Sequence, residues 1–324
     1  MSEQLRQLLF PSRFFAWADR TQPKLSLEAS TTLIEEGQDG IELFVLIDGA
    51  GEVFTRREDG ESVVLAQLEP GQLLGDMSFL EGRPTVATVK GQAGSRWIRI
   101  PFDVLQAAID ADADLAADFY AVLARKLALQ LQGQNALVHR WQSSDIEPLR
   151  KVLLVFAELN DLDIDWFSRT GRVVHCRPGE ELIEQGSALD QLWVVLDGDA
   201  TVFLLSGERR QPVGSSRRGE LLGEMALLSN DSQATASVVG STAMQLLALP
   251  HQQLRTRMDG DAAFSARFHR AMAMLLSHRG RDQLMSHGLA SQAAANEALS
   301  LDTLDNISQA GRRFDWLCRQ VATQ

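Results

Sequence analysis

Two short segments of this chain carry residue types at a spacing that could hold an anion: Gly71-Gln-Leu-Leu-Gly-Asp-Met and Gly219-Glu-Leu-Leu-Gly-Glu-Met. In each, the second glycine (Gly75, Gly223) leads a carboxylate (Asp76, Glu224), a methionine (Met77, Met225) and a small residue (Ser78, Ala226). A helix starting after such a glycine leaves its first backbone N–H groups unpaired and carries partial positive charge at that end, so it attracts an anion. The carboxylate can accept a hydrogen bond from a hydroxyl of the same ligand, and the small side chain lets an anionic group approach the backbone. The same residues also have a ligand-free reading, because the helix dipole favours a carboxylate at a helix start with nothing bound.

Other chemistry finds no support. The six histidines (His139, His175, His251, His269, His278, His287) show no HxxxH or HExxH spacing, which argues against a metal site. His175 and Cys176 are neighbours and point to opposite faces of a strand. Cys176 and Cys318 stand far apart without CxxC spacing, which removes a zinc knuckle, a redox pair and a disulfide framework. No GxSxG, phosphate-binding loop or GxGxxG lies in a strand-turn-helix context. A non-catalytic chain with neither metal nor cofactor is expected.

The elements that position these segments repeat. Leu33–Gly49 (LIEEGQDGIELFVLIDG) and Leu182–Gly198 (LIEQGSALDQLWVVLDG) agree at eight of seventeen positions, 149 residues apart, where chance gives on the order of one. The register extends through Val53/Val202 and Phe54/Phe203, slips by one at Gly71/Gly219, and returns at Ala87/Ala236, Pro101/Pro250, Leu105/Leu254 and Phe119/Phe268. A period this long means a duplicated domain, not a solenoid. Each copy opens with short alternating strands. Asp48-Gly49 and Asp197-Gly198 predict tight hairpins, and Glu58-Asp59-Gly60 with Ser206-Gly207-Glu208 predict a second turn. Strands over Ala87–Lys90 and Trp97–Ile100 precede a proline and helices. Leu115, Phe119, Leu123, Leu127 and Leu131 recur every fourth position, which places them on one helix face. A helix is expected to start at Ser143-Ser144-Asp145 and run toward Leu159.

Length and composition fit this plan. A chain of 324 residues suits two domains, and 45% hydrophobic with 23% charged residues is a globular balance. No apolar run approaches the about 20 residues of a membrane span, and Met1–Phe10 does not read as a secretory signal, so a cytoplasmic location is expected. The net charge of −12 disfavours broad attraction to nucleic acid or anionic lipid.

Gly223-Glu-Met-Ala-Leu-Leu followed by Ala236-Ser-Val resembles the phosphate-binding cassette of cyclic nucleotide-binding domains, the modules of the catabolite activator protein, the protein kinase A regulatory subunit and nucleotide-gated channels. Gly75-Asp-Met-Ser-Phe-Leu with Pro84-Thr-Val-Ala-Thr-Val looks like the same cassette, and Pro178-Gly-Glu-Glu-Leu-Ile-Glu-Gln-Gly is similar to the family's first strands. The resemblance implies an α+β fold of two β-roll (jelly-roll) domains, each flanked by helices. The expected boundaries are a helical segment at 1–24, a first domain at 25–142, a second at 143–280 and a helical tail at 281–324. It also implies that Glu224 meets a ribose hydroxyl and that an arginine about nine or ten residues on pairs with the cyclic phosphate through its planar donor fork.

Both copies depart from that pattern. Counting back from Ala-Thr-Val and Ala-Ser-Val, the arginine position falls on Thr85 and on Ala234. Losing one partner of a desolvated charge pair costs roughly 2–5 kcal/mol, or about 30- to several-thousand-fold in affinity. Hydroxyls of Thr85 or Thr235, and Arg83 swinging in, recover part of that at most. The candidate ligand residues are therefore Gly223, Glu224, Met225, Ala226, Ala234 and Thr235 in the second domain. In the first they are Gly75, Asp76, Met77, Ser78, Arg83, Thr85 and Val86, with the shorter carboxylate weakening the site.

The functional expectation is a regulatory protein that senses a small ligand, a cyclic nucleotide bound weakly or a different molecule, and acts through a separate effector protein. One alternative is a ligand-independent scaffold with decayed pockets. Another is a transcription regulator like those family members that end in a helix-turn-helix; against it, Ser291–Asp305 is acidic, with Glu297, Asp302 and Asp305 and no Lys or Arg. Self-association through the helices is a further expected contact, and neither nucleic acid nor a membrane span is expected. The closing stretch with Arg312-Arg313, Phe314, Trp316, Leu317 and Val321 reads as a helix packed on its own domain or docked on a partner. The leucines and phenylalanines of residues 5–15 read as packing. The basic pairs Arg209-Arg210 and Arg217-Arg218 read as a solvated loop face.

Overall fold

The computed structural model describes residues 12–56, 61–135, 154–206, 209–229, 231–286 and 301–322. The expected helix start at Ser143 and the leucines before Pro11 lie outside them. The chain forms two compact units. The first is Met1–Lys126 with Leu276–Ala298, and the second is Leu127–Leu275 with Leu299–Gln324.

In chain order the first unit contains α1 (Arg13–Thr21), β1 (Lys24–Ser26), β2 (Thr31–Ile34), β3 (Glu42–Asp48), β4 (Gly51–Arg56), β5 (Ser62–Leu68), β6 (Leu73–Leu74), α2 (Asp76–Glu81), β7 (Thr88–Gly91), β8 (Arg96–Pro101) and α3 (Phe102–Ala111). Next comes α4 (Ala113–Asn135). The strands make two four-stranded antiparallel sheets, ordered β1-β8-β3-β6 and β2-β7-β4-β5. The second unit has α5 (Asp161–Thr170), β9 (Arg172–Cys176), β10 (Glu181–Ile183), β11 (Gln191–Asp197), β12 (Ala200–Ser206), β13 (Arg209–Ser216), β14 (Leu221–Leu222), α6 (Glu224–Leu228), β15 (Ser237–Gly240), β16 (Met244–Pro250) and α7 (His251–Gly260). Helices α8 (Ala262–Ser286) and α9 (Leu301–Val321) follow. Its sheets are ordered β9-β16-β11-β14 and β10-β15-β12-β13, the first unit's orders with eight added to every strand number.

The duplication extends to irregularities. Register shifts fall at Thr32/Ile34, Leu46/Asp48 and Val53/Phe54 in the first unit. They fall at Glu181/Ile183, Val195/Asp197 and Val202/Phe203 in the second. Each lies 149 residues from its counterpart. A bulge bends and twists its strand, so matched bulges give matched curvature.

The turns at Asp48-Gly49 and Asp197-Gly198 correct the sequence reading. They are not hairpins, because β3 pairs with β6 and β8 while β4 pairs with β5 and β7. The chain here crosses from one sheet to the other. Gly49 has φ +88°, and a Cβ on it would lie 2.7 Å from Ser95 Cα, so close approach demands glycine as much as the turn does. The hairpins lie one connection later, where Arg56 pairs with Ser62 and Ser206 with Arg209.

The two sheets of each unit enclose an apolar core. In the first it gathers Phe44, Leu46, Leu68, Leu74, Val89 and Trp97. The Trp97 indole N–H is satisfied by Ser95 Oγ at 2.8 Å, as a buried indole requires. In the second, Trp193, Val195, Leu222, Val238 and Leu246 take the same role. On α4, Leu115, Phe119, Leu123, Leu127 and Leu131 are all buried. Phe14 and Phe15 of α1 are buried too, with the Phe14 ring 4.8 Å from Phe119.

Helix α9 packs back on the second unit against α5. Phe314, Leu317 and Val321 are buried while Trp316 stays 38% exposed. Residues 154–158 are helical, and Arg313 donates to the carbonyls of Phe156 and Ala157 at their end and to Asp161, satisfying acceptors that a helix end leaves open. Arg209, Arg210, Arg217 and Arg218 are all exposed, as a solvated face requires, and two of them make surface contacts: Arg210 pairs with Glu181, and Arg218 pairs with Asp315 and lies over the Phe314 ring.

Candidate functional site

Each cassette begins where the chain leaves a two-stranded pairing. Gly75 and Gly223 both have φ +90°. A Cβ would lie 2.5 Å from Glu42 O at the first and 2.7 Å from Gln191 O at the second, so backbone crowding excludes any side chain. Neither glycine offers a side-chain cap, and the helices that follow, α2 and α6, have six and five residues. Helices this short carry little macrodipole, so an anion here would be held by individual N–H groups.

The remaining predicted residues gather around these starts. Asp76 and Glu224 are both 4% exposed. Asp76 Oδ1 lies 2.6 Å from Lys126 Nζ on α4. Ser78 is buried against Gly40, where an added Cβ would meet Ser78 Cβ at 2.5 Å. Ala226 and Ala234 share the second unit's apolar cluster with Ile183 and Leu189. Met225 is buried, and Met77 and Thr235 are half-buried.

Thr85 and Ala234 occupy equivalent places. Thr85 N–H donates to Gln38 O while its carbonyl accepts from Gly37, and Ala234 does the same with Ser187 and Gly186. The structure thus aligns the two arginine-less positions as the sequence count did. The Thr85 hydroxyl donates to the Glu35 carbonyl, with Gln38 O at 3.2 Å. Its single proton is engaged, so it offers a phosphate no donor. Arg83 is largely buried: its side chain is 12% exposed and its Nη1 lies 3.8 Å from Glu81 Oε2. Val86 is buried beside Leu284.

Sequence reasoning missed three further features. Glu36 N–H donates to Thr88 Oγ1, and Glu36 Oε2 accepts from Thr55 Oγ1 and Arg56 N–H. The second unit repeats this with Gln185, Ser237 and Leu205. The repeat aligns Glu36 with Gln185 in sequence, which is the signal that could have found the pair. Lys126 and Arg281 reach the first cassette from helices far along the chain, and no local pattern announces them. An open cleft of about 390 Å3 flanks Ser78 and Arg83, walled by Asp39, Phe79, Phe102 and Asp103. The Phe79 and Phe102 rings meet edge to face at 5.1 Å.

Burial is the main influence on three titratable groups of the second unit. Burial lowers the His251 imidazole to about 4, with Arg255 adding to the effect. Burial raises the Cys176 thiol and, above all other influences, the Cys318 thiol, which leaves both poor nucleophiles. Among the described residues no group of three or more His, Cys, Asp or Glu side chains could hold a metal ion. No described helix is long and apolar enough to cross a membrane.

Comparison with known proteins agrees with the geometry. The family model described as cyclic nucleotide-binding domain matches residues 24–112 and 173–261. The chain is 24% identical over 210 residues to human patatin-like phospholipase domain-containing protein 6, covering 64% of this chain and 13% of that protein. It is 24% identical over 236 residues to the cAMP-dependent protein kinase regulatory subunit of Mycosarcoma maydis, covering 68% of this chain and 39% of that one. It therefore spans only a small part of the curated relatives it matches. Among solved structures, the regulatory domain of Toxoplasma gondii PKA with cAMP is 19% identical, covers 86% of this chain and 96% of its own, and has a TM-score of 0.33. The regulatory subunit of a cAMP-independent protein kinase A from Trypanosoma cruzi, bound to guanosine, is 15% identical with coverages of 90% and 95% and a TM-score of 0.32. With two matched segments that together exceed half its length, the chain belongs to the cyclic nucleotide-binding domain family and carries two copies in tandem.

Proposed function

We propose that this chain is a regulatory module whose second unit senses a small nucleotide-like ligand and whose helices pass the change to a separate effector protein. The observation that carries this reading is the second cassette, where Gly223, the buried Glu224 and the small Ala226 stand in family order. The similarity to a kinase regulatory subunit supports an effector on another polypeptide. The similarity to a phospholipase-domain protein of which only 13% is matched supports an effector elsewhere in a longer chain equally well. A catalytic role for the described residues has no constellation behind it.

The first unit supports the scaffold reading instead. Asp76, a shorter carboxylate than Glu224, is held by Lys126, and the Thr85 hydroxyl donates to Glu35, so neither is set to reach a ligand. Calorimetry of the full chain against cyclic AMP, cyclic GMP and guanosine tests the proposal. One site is expected, with weak affinity, abolished by Glu224→Ala. Silence from all three at millimolar concentration would sink the sensing role and leave the scaffold.

A further inference from the structure

Three residues near the end of α8 share one helical face. Ser277, Arg281 and Leu284 follow i, i+4, i+7 spacing, and all belong to the first unit. Ser277 Oγ donates to Glu81 Oε1. Arg281 Nε donates to Glu81 Oε2 at 2.5 Å and its Nη1 to Pro84 O at 3.1 Å. Leu284 packs on Val86, with Leu65 and Met77 beside it. Glu81, Pro84 and Val86 are the end of α2 and the loop around Thr85, so this face covers the outgoing half of the first cassette. The Arg281 and Glu81 side chains are 1% and 0% exposed.

We infer that the Ser277–Leu284 face is an intramolecular latch that holds the first cassette shut and can lift without unfolding the unit. Its separateness is the first argument. Among the described residues, Leu284, Val86, Leu65 and Met77 form a cluster of their own, apart from the first unit's sheet core around Phe44, Leu46 and Trp97, so the latch shares little surface with that core. Its chemistry is the second. A buried ion pair gains little net free energy after desolvation, but it fixes geometry, and losing one partner leaves a charge stranded. A closure built on one guanidinium, one hydroxyl and one leucine is specific in seating and small in extent. That combination suits local opening below the free energy of global unfolding. The inference does not require either cassette to bind a nucleotide.

Hydrogen exchange with peptide resolution on the full chain tests it. Arg281→Ala removes the ion pair, and Leu284→Ala leaves the pair intact while removing the apolar contact. Each variant is expected to exchange at least tenfold faster than wild type over residues 76–86, with strands 42–48 and 191–197 unchanged. The charge-swapped pair Glu81→Arg with Arg281→Glu is expected to recover part of the protection. Unchanged exchange over 76–86 in both single variants would overturn the latch. So would an equal rise through 42–48, since the face would then be part of the core. Cyclic AMP binding by the first unit that falls in Arg281→Ala would make Arg281 a ligand contact and overturn it as well.

Discussion

Asp76 at the head of α2 and Lys126 on α4 form an ion pair with 2.6 Å between Oδ1 and Nζ, the carboxylate side chain 5% exposed and the lysine 21%. The first cassette thus answers its own carboxylate with a cation from fifty residues downstream. Lys126→Met should strand the Asp76 charge and cost about 3 kcal/mol, the low end for a broken buried pair because the lysine is partly solvated. Adding Asp76→Asn should recover most of it. Thermal unfolding of the full chain reads both, and a melting temperature unmoved by Lys126→Met would show the pair to be idle.

Arginine placed at Ala234 should restore the missing phosphate partner. The backbone of Ala234 is tied to Ser187 and Gly186, so a side chain there starts from a fixed point. The expected gain in cyclic AMP affinity for Ala234→Arg is about 30-fold or more, the reverse of losing one desolvated partner. Thr85→Arg should gain less, because the first cassette carries the shorter Asp76 where the second has Glu224. Calorimetry measures both, with circular dichroism to establish that Ala234→Arg still folds. A folded variant with no gain would show that the second cassette has lost more than its guanidinium.

The fold was legible because its signals are local. Apolar alternation and glycines of positive φ reflect neighbours in sequence, the repeat prints the same local signals twice, and the matched bulges at Val53/Phe54 and Val202/Phe203 show how faithfully the copies keep them. The error at Asp48-Gly49 has a physical source: an Asp-Gly turn reports local backbone reversal, not which sheet the next strand joins. The site was legible only in outline. Counting put Thr85 and Ala234 at matching positions, and the two share the same backbone bonds, but the partners of Asp76 and Glu81 come from 50 and 200 residues away. Helix periodicity marks Lys126 and Arg281 as positions on a face without saying what that face meets.

Asp163 should be the least replaceable carboxylate of the second unit. It completes a capping box with Asn160 at the start of α5. Arg267 grips it through two bonds of 2.7 and 2.9 Å, while its own side chain is 0% exposed. Arg257 lies 3.7 Å away and stacks over Trp166 and Phe264. Asp163→Ala should cost about 3–5 kcal/mol by stranding guanidinium charge and losing the cap. Urea denaturation of the full chain followed by circular dichroism checks this, and a loss below about 1 kcal/mol would refute the assignment.

His251 should make the second unit acid-sensitive in a defined window. It stands directly after Pro250, where the first unit has Phe102 after Pro101, and it is 2% exposed. Burial is the main force lowering its imidazole from 6.5 to about 4, and Arg255 adds to it. The folded chain therefore keeps the ring neutral while the unfolded chain protonates it below about 6.5. Stability is fully present above that pH, drains away as the pH falls from 6.5 to about 4, and is flat for this group below. The full loss is about 3 kcal/mol. His251→Phe puts the first unit's residue at the matching position and removes the titration. Carboxylates titrate in both proteins, so the difference between wild type and variant is the quantity to follow. Denaturant unfolding at pH 7.5, 6.0 and 4.5 should show wild type losing ground to His251→Phe step by step, and parallel curves would mean that the ring reaches solvent when charged.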